Sequence, residues 1–250
     1  PDHIPQVDVA CGDDGALRVL LHVLPKARPQ LRLWLQGFAQ RHQLNACLQS
    51  GRKDTIEAVH GETDLSVIVD QPPLILNYGP GGFAQVNPAQ NRRMIAEMLA
   101  ILDLQGTEDV LDLFCGMGNF SLPIARRAGR VTGVEEYAPA VASAMKNAAV
   151  NNLHNVEFRA ADAARAISRR NHGDLDLVVL DPPRSGSYQA SLEILRAKPQ
   201  RILYLSCDPA TLARDLAPLV HHGYQVLSAR AFDVFPQTWH IESMTLLGRR

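Results

Sequence analysis

Two residues in the last quarter of the chain have side chains that could carry out covalent chemistry. Cys207 stands between an apolar run and Asp208-Pro209, and an aspartate followed by proline strongly indicates the start of a helix. The positive end of a helix dipole lowers the pKa of a nearby thiol, so this position favours a nucleophilic thiolate. Glu242 lies in an apolar stretch, where its carboxylate could act as a base or could simply be solvated. A lone cysteine is most often an inert core residue, so neither assignment stands on its residue type alone.

The residues around Glu242 predict a β-strand from Trp239 to Met244. Alternate side chains of a strand point to the same face, so His240 and Glu242 would share one face and Ile241 would lie on the other. His240 is therefore the alternative to Glu242 as a base.

A second set of residues indicates a cofactor site. Gly116 and Gly118 follow a predicted strand directly and precede a predicted helix, where glycine lets the backbone turn tightly and approach a ligand. Two acids stand at the ends of the next two strands: Glu135, which could bind ribose hydroxyls, and Asp162, which could meet an adenine edge. A glycine bend followed by acids in this order is the layout of enzymes that use S-adenosylmethionine.

Other details keep the cofactor interpretation open. Ser121 stands where the dinucleotide fingerprint has its third glycine. A plain turn capped by Asn119 would also account for the bend. Cys115 lies inside the bend and is expected to be a small buried thiol.

A third motif, Asp181-Pro182-Pro183-Arg184, ends another predicted strand. Enzymes that methylate exocyclic amines of flipped bases usually carry an aromatic residue after such a Pro-Pro pair, and that residue stacks on the base. Arg184 in this place argues against amine chemistry.

These motifs require a sheet that brings the ends of several strands together. From residue 83 onward, continuous apolar strands alternate with helical segments, which predicts an α/β fold with a parallel, doubly wound sheet closed by an antiparallel strand within 225–247. In such a sheet the ligand binds at the carboxyl ends of the strands, where every motif above falls. The predicted strands are 109–114, 130–135, 156–159, 175–180 and 201–206, and the helices are 87–103, 120–128, 139–151, 163–170 and 189–195.

The first part of the chain predicts a smaller α+β domain over residues 1–82, followed by the catalytic domain over 83–250. A turn at 12–15 between two apolar runs indicates a hairpin, and residues 30–42 have helical spacing. Short strands are expected near 56–59 and 65–69, and the glycine-rich segment 78–82 marks the boundary.

Composition excludes several classes of protein. The chain has 250 residues, a net charge of −1 and no apolar run long enough to span a membrane. Its four cysteines contain no C-x-x-C pair, which argues against a zinc site or disulfides and favours the cytoplasm. We expect a monomer without a metal site. The start Pro1-Asp2-His3, without methionine or a signal-peptide pattern, is typical of a fragment.

Taken together, the motifs resemble the RNA uracil-5-methyltransferase family, and most closely its bacterial members that act on 23S ribosomal RNA. The resemblance implies a Rossmann-like S-adenosylmethionine methyltransferase sheet, with Cys207 as the nucleophile and Glu242 as the base. The matching segments are 83–87, 112–120, 181–184, 206–215 and 240–244. The cofactor contacts that the resemblance implies come from Gln85, Phe114, Asn119, Glu135, Asp162 and Asp181.

The implied reaction is methylation of carbon 5 of a uridine in 23S ribosomal RNA, through a Cys207 adduct at carbon 6. The alternatives are a uridine in tRNA or at another ribosomal site, and cytosine-5 methylation, whose enzymes have a cysteine where Pro183 stands. A further alternative is a small-molecule methyltransferase, but its reaction would not use Cys207 or Glu242. A non-catalytic RNA-binding factor would not need either residue.

The chain departs from the family in two respects. Asp208 replaces the usual asparagine, and its extra negative charge should oppose a thiolate at Cys207. Full-length members also carry an amino-terminal RNA-binding β-barrel and, in the ribosomal enzyme, a cysteine-ligated iron–sulfur cluster. We expect that cluster only in an amino-terminal part outside this sequence, and the near-neutral charge agrees with a missing RNA-binding module.

Overall fold

The computed structural model describes residues 3–52, 55–168, 173 and 175–249. The chain divides into two compact units, Pro1–Ile68 with Asn77–Phe83, and Val69–Leu76 with Ala84–Arg250. The chain therefore passes between the units more than once. It enters the second unit for the last time between Phe83 and Ala84, whereas the boundary predicted from the sequence lies between residues 82 and 83. The end of the predicted helix 163–170, with its Arg169-Arg170 pair, lies outside the described residues.

The first unit contains a four-stranded sheet with the order β1-β2-β3-β4. The expected hairpin is formed by β1 and β2, and α1 then leads to β3, which pairs in parallel with β2. The strand β3 was not predicted from the sequence, because its Asn-Ala-Cys-Leu-Gln text lacks the β-branched and aromatic residues that mark strands. The elements are β1 (Gln6–Cys11), β2 (Leu17–His22), α1 (Arg28–His42), β3 (Asn45–Gln49) and β4 (Glu57–His60).

Two further short strands, β5 (Leu65–Ile68) and β6 (Ile75–Tyr78), pair as a separate sheet. The turn between them, which belongs to the second unit, is held by a basic pair. Arg126 donates to the carbonyl oxygens of Pro72 and Pro73, and Arg127 donates to the carboxylate of Asp70 at 3.0 Å. Both guanidinium groups therefore have structural partners within the protein.

The second unit is built on a seven-stranded sheet with the order β12-β13-β11-β10-β7-β8-β9. The five neighbouring strands from β11 to β9 are parallel. β13 pairs antiparallel with β11, and β12 pairs antiparallel with β13, which confirms the predicted α/β class and the closing antiparallel strand. The strands are β7 (Asp109–Leu113), β8 (Arg130–Glu135), β9 (Val156–Ala160), β10 (Leu177–Leu180), β11 (Arg201–Ser206), β12 (Tyr224–Phe232) and β13 (Glu242–Arg249). The helices are α2 (Pro88–Leu102), α3 (Ser121–Ala125), α4 (Ala138–Val150), α5 (Ala163–Ser168), α6 (Tyr188–Ala197) and α7 (Pro209–His221).

The order of strands creates a crevice at the centre of this sheet. The chain runs from β7 outward through β8 and β9, and then returns to the other side of β7 to form β10 and β11. Helices that leave β7 and β10 in opposite directions open a gap at the carboxyl ends of these two strands. Leu113 and Leu180 are paired there, so the residues that follow them face one crevice.

Among the described residues, no helix is both long and apolar enough to cross a membrane.

Candidate active site

The backbone after β7 makes a tight bend at the carboxyl end of that strand. Phe114, Gly116 and Gly118 all have positive φ, of 62°, 54° and 95°, so three left-handed residues turn the chain within five positions. The N–H of Gly116 lies 3.3 Å from a carboxylate oxygen of Glu135. A side chain at Gly118 would press on Leu122 and Phe158, so glycine is needed there for both conformation and space.

Asp112, inside the motif but not singled out from the sequence, is the most unusual acid of this region. It is fully buried, and Ser121 donates to its Oδ2, but Oδ1 has no partner among the described atoms. Burial raises the pKa of Asp112 to about 7, and the charges of Asp181 and Glu135 act in the same direction. Its apolar neighbours in β7 hide it from sequence inspection, although an acid inside a buried strand is itself a signal of function.

Asn119 does not cap the helix that follows it. The cap position of α3 is Phe120, without a side-chain hydrogen bond, so the plain capped-turn explanation is wrong. Asn119 instead exchanges two amide hydrogen bonds with Asn91 of α2, at 2.8 and 3.0 Å. This pair ties the glycine bend to α2.

Two of the other predicted cofactor residues, Glu135 and Asp162, lie at the carboxyl ends of strands of the same sheet. Glu135 ends β8 and accepts from the N–H of Tyr137 at 2.8 Å. Asp162 follows β9 and accepts from the N–H of Arg165 at 2.8 Å, so one of its oxygens caps α5. Gln85 is half-buried in the segment that leads into α2.

Cys207, Glu242 and Asp181 are brought together from three strands. Glu242 is buried, and burial followed by the charge of Asp181 raises its pKa to about 8. Burial also raises the pKa of Asp181 to about 7. Acids whose pKa values are raised into the neutral range at the end of a parallel sheet are typical of catalytic sites.

The alignment of β11 with β13 fixes the separation of Cys207 and Glu242. Ser206 pairs with Ser243, and the Ser243 hydroxyl donates to the Ser206 carbonyl oxygen at 2.9 Å. Cys207 follows one member of this pair and Glu242 precedes the other, so the antiparallel ladder places them side by side.

The expected strand from Trp239 is wrong at its start. Glu242 is the first residue of β13, and Trp239, His240 and Ile241 belong to the preceding loop. The alternation that would have placed His240 on the face of Glu242 therefore does not apply. The N–H of His240 instead donates to the Thr238 hydroxyl, which turns the chain.

The expected direction of the Cys207 pKa is also wrong. Burial raises it, the charge of Glu242 adds to this, and the opposing effects of a backbone N–H and of Arg184 are smaller. The helix signal itself is correct, because Asp208 caps α7 through the N–H groups of Ala210 and Thr211. Burial, and then the neighbouring carboxylates, thus raise the pKa of a thiol that directly precedes a capped helix.

A buried network fixes the loop that carries Asp181 and Arg184. Asp215 of α7 is fully buried and accepts from the Tyr204 hydroxyl at 2.6 Å and from the N–H of Ser187 at 2.5 Å. Arg214 binds the other oxygen of Asp215 and donates to the carbonyl of Ser185 at 2.8 Å. The loop after β10 is therefore attached to the helix that follows Cys207.

Known proteins resemble this chain in sequence and in fold. The family model described as tRNA (uracil-5-)-methyltransferase matches residues 39–250. The chain belongs to this family. A protein of Alkalilimnicola ehrlichii named 23S rRNA (uracil(1939)-C(5))-methyltransferase RlmD is 41% identical over 254 residues, covering 100% of this chain and 57% of that protein. The protein of the same name from Methylococcus capsulatus is 42% identical, covering 99% and 57%.

Solved structures agree on the fold. The Pyrococcus abyssi tRNA (uracil-54, C5)-methyltransferase in complex with S-adenosyl-L-homocysteine has a TM-score of 0.77 and 23% identity, covering 98% of this chain and 60% of that one. Pyrococcus horikoshii TYW2 has a TM-score of 0.64 and 16% identity, covering 98% and 91%.

The uracil-5-methyltransferase family match contains every candidate site residue, from Gln85 to Glu242. The chain spans 57% of the length of the curated relatives it matches. In the described part of this family member, no three His, Cys, Asp or Glu side chains are grouped closely enough to hold a metal ion.

Proposed function

We propose that this chain is the catalytic part of an S-adenosylmethionine-dependent enzyme that methylates carbon 5 of a uridine in 23S ribosomal RNA. The observation that carries the proposal is the grouping of Cys207, Glu242 and Asp181 at the crevice beside the glycine bend. Relatives named for this reaction at 41% and 42% identity support it.

The crevice is chemically suited to a cationic cofactor. Burial raises the pKa of Asp112 and of Glu242; Asp181 adds to both shifts and Glu135 to that of Asp112, so several carboxyl groups lie close enough to interact with a bound cation. The unpartnered Oδ1 of Asp112 adds a buried acceptor. S-adenosylmethionine carries positive charge on its sulfonium and amino groups, and a neighbouring carboxylate attracts such a charge.

When bound, the cofactor supplies an electrophilic methyl group. Carbon 5 of uracil is too weak a nucleophile to take it, so the Cys207 thiolate first adds to carbon 6, and the electron pair displaced onto the ring makes carbon 5 enolate-like. Carbon 5 would then bond to the methyl group as the bond between that group and the sulfonium sulfur breaks, leaving a neutral thioether. Glu242 removes the proton of carbon 5, the ring double bond re-forms, and the Cys207 thiolate leaves.

The raised pKa values of Cys207 and Glu242 indicate which of the two groups carries a proton at the start of the reaction. Without ligands, burial and the neighbouring carboxylates keep the Cys207 thiol in its protonated form. Arg184 already favours the thiolate, and a cation held near Asp181 would favour it further. Glu242, with a pKa of about 8, is a stronger base than an ordinary glutamate once it has lost its own proton, and it can then take the carbon 5 proton that the adduct makes acidic.

The decisive experiment traps the adduct. RNA carrying 5-fluorouridine at the target position has no carbon 5 proton for Glu242 to remove, so a covalent protein–RNA complex should accumulate with the full-length protein and S-adenosylmethionine. We expect a band that survives denaturing electrophoresis, and its loss in Cys207→Ala. A 23S fragment, a tRNA and the matching 5-fluorocytidine RNAs distinguish the substrates. Failure of all of these RNAs to form a Cys207-dependent band would refute the proposal.

A further inference from the structure

A group of aromatic rings, made by the exposed Trp239 and the half-buried Phe235 and His240, lies in the loop between β12 and β13. Trp239 is 81% exposed, the highest value among the large hydrophobic side chains of the described chain. Its ring stacks on that of His240 with centroids 4.4 Å apart, and His240 meets Phe235 edge-on at 6.0 Å. We call these three residues the aromatic platform. A largely exposed indole that already stacks on a second ring presents a flat apolar face on which another planar group can stack.

The platform is held in place by its own loop. The Thr238 hydroxyl donates to the carbonyl of Phe235 at 2.7 Å and accepts from the N–H of His240 at 3.2 Å. Val234, just before the platform, is buried, and the Asn87 side chain donates to its carbonyl oxygen at 3.4 Å. The rings are therefore presented from a fastened loop.

A cation accompanies the aromatic rings. The guanidinium carbon of Arg184 lies 5.3 Å from the centroid of the Trp239 ring, and its Nε is 3.7 Å from the carboxylate of Asp208. Trp239 precedes the proposed base Glu242 by three positions, and Arg184 follows Asp181 by three. The platform and its cation thus flank the proposed active site from two different strand ends.

We propose that the aromatic platform stacks an unpaired base next in sequence to the target uridine. The inference rests on the proposed function, because a uridine that leaves its stack to reach Cys207 exposes the face of its neighbour. Aromatic side chains beside an arginine are the means by which proteins hold unpaired bases and their phosphates. The platform would thereby keep the strand open while the adduct forms.

The test uses the full-length protein and a 23S fragment with 2-aminopurine placed, in separate RNAs, on either side of the target position. Stacking on an aromatic ring quenches this reporter, so its emission in the saturated complex measures contact with the platform. We expect one flanking reporter to be markedly brighter in Trp239→Ala than in the wild type, and quenched again in Trp239→Phe. The KM for RNA should rise roughly tenfold in Trp239→Ala, with S-adenosylmethionine affinity unchanged.

Trp34→Ala is the matched control, since it removes the other tryptophan of this chain, which is also exposed but lies in the first unit. It should leave the flanking reporter as in the wild type. Equal reporter emission in the wild type and Trp239→Ala at both positions would overturn the stacking inference while methylation by the wild type continues. A wild-type protein that methylates none of the RNAs would instead refute the proposed function, and the inference with it.

Discussion

At the scale of single residues, Glu242 combines burial, a neighbouring carboxylate and a position beside the only half-buried thiol of the described site. Addition of Cys207 and transfer of the methyl group need no base at carbon 5, whereas the final elimination does. Glutamine keeps the shape of glutamate but cannot accept the proton. Glu242→Gln should therefore methylate its uridine and retain it as an adduct, visible as a protein–RNA band on a denaturing gel.

Asp208→Asn serves as the control for this trapping experiment, because it removes a nearby carboxylate but keeps a capping side chain for α7. We expect it to release its product. Free 5-methyluridine RNA from Glu242→Gln at near wild-type rate, without a band, would show that Glu242 is not the base.

The raised pKa of Glu242 also predicts how stability changes with pH. The ordinary value is 4.5 and the folded value is about 8, so the folded protein binds this proton more tightly than the unfolded chain does. The contribution is fully present below pH 4.5 and is lost as pH rises toward 8. Glu242→Gln should gain stability over the wild type as pH rises through this range, measured as the difference between their urea midpoints.

Glu136→Gln removes an exposed carboxylate of the same unit and is the control for that measurement. The difference between its urea midpoint and that of the wild type should not grow as pH rises. A Glu242→Gln difference that stayed constant with pH would mean that the carboxyl group is solvated.

At the scale of elements, the loop after β10 depends on a glycine. Gly186 has φ of +70°, and a side chain there would meet the carboxylate of Asp215 and the guanidinium of Arg214. Gly223, after α7, has φ of +99° but open space around it. Gly223→Ala should cost about 1–2 kcal/mol from backbone strain alone.

Gly186→Ala should cost about 1–3 kcal/mol more, because the Asp215 network must also move. Since the network fixes the loop with Asp181, we expect methylation to fall in Gly186→Ala and to persist in Gly223→Ala. Urea unfolding and single-turnover methylation measure the two effects. Equal losses of stability in Gly186→Ala and Gly223→Ala would show that the loop after β10 accommodates the added methyl group without disturbing the Asp215 network.

At the scale of the whole molecule, charge sets what this chain can bind unaided. The net charge is −1, and the basic pair Arg126-Arg127 is engaged by Asp70 and by backbone carbonyls. Phosphate contacts by free Lys and Arg dominate RNA affinity and its dependence on salt. We expect the 250-residue chain to bind S-adenosylmethionine but to bind ribosomal RNA weakly, with a shallow salt slope.

Filter binding of a 23S fragment over a range of salt concentrations measures this slope, with the full-length protein as the comparison. A steep slope for the 250-residue chain would indicate an RNA surface among its remaining basic residues.

The parallel sheet was predictable from sequence because its buried strands are continuous apolar runs, as in Leu177–Leu180. The glycine bend and the cap at Asp208 were predictable because each is encoded within a few residues. The pKa values of the site residues and the structure of the loop before β13 were not predictable from the sequence. The pKa of Cys207 depends first on its burial and then on Glu242 and Asp181, which are distant in sequence. The Trp239 segment alternates like a strand but forms a loop.

The unbroken alignment of β11 with β13 has a consequence for the tolerance of the gene to insertions and deletions. Five of the six residue pairs of this ladder lie beyond the Ser206–Ser243 pair, and none is shifted, whereas β12 carries an irregularity at Val226 and Ser228. A codon gained or lost in β12 can be absorbed where that strand already departs from regular pairing. One gained or lost within β13 would turn Glu242 to the opposite face of the sheet, away from Cys207, while leaving the hydrophobic composition intact. Under selection for methylation, in-frame insertions and deletions should therefore be tolerated in β12 and eliminated in β13.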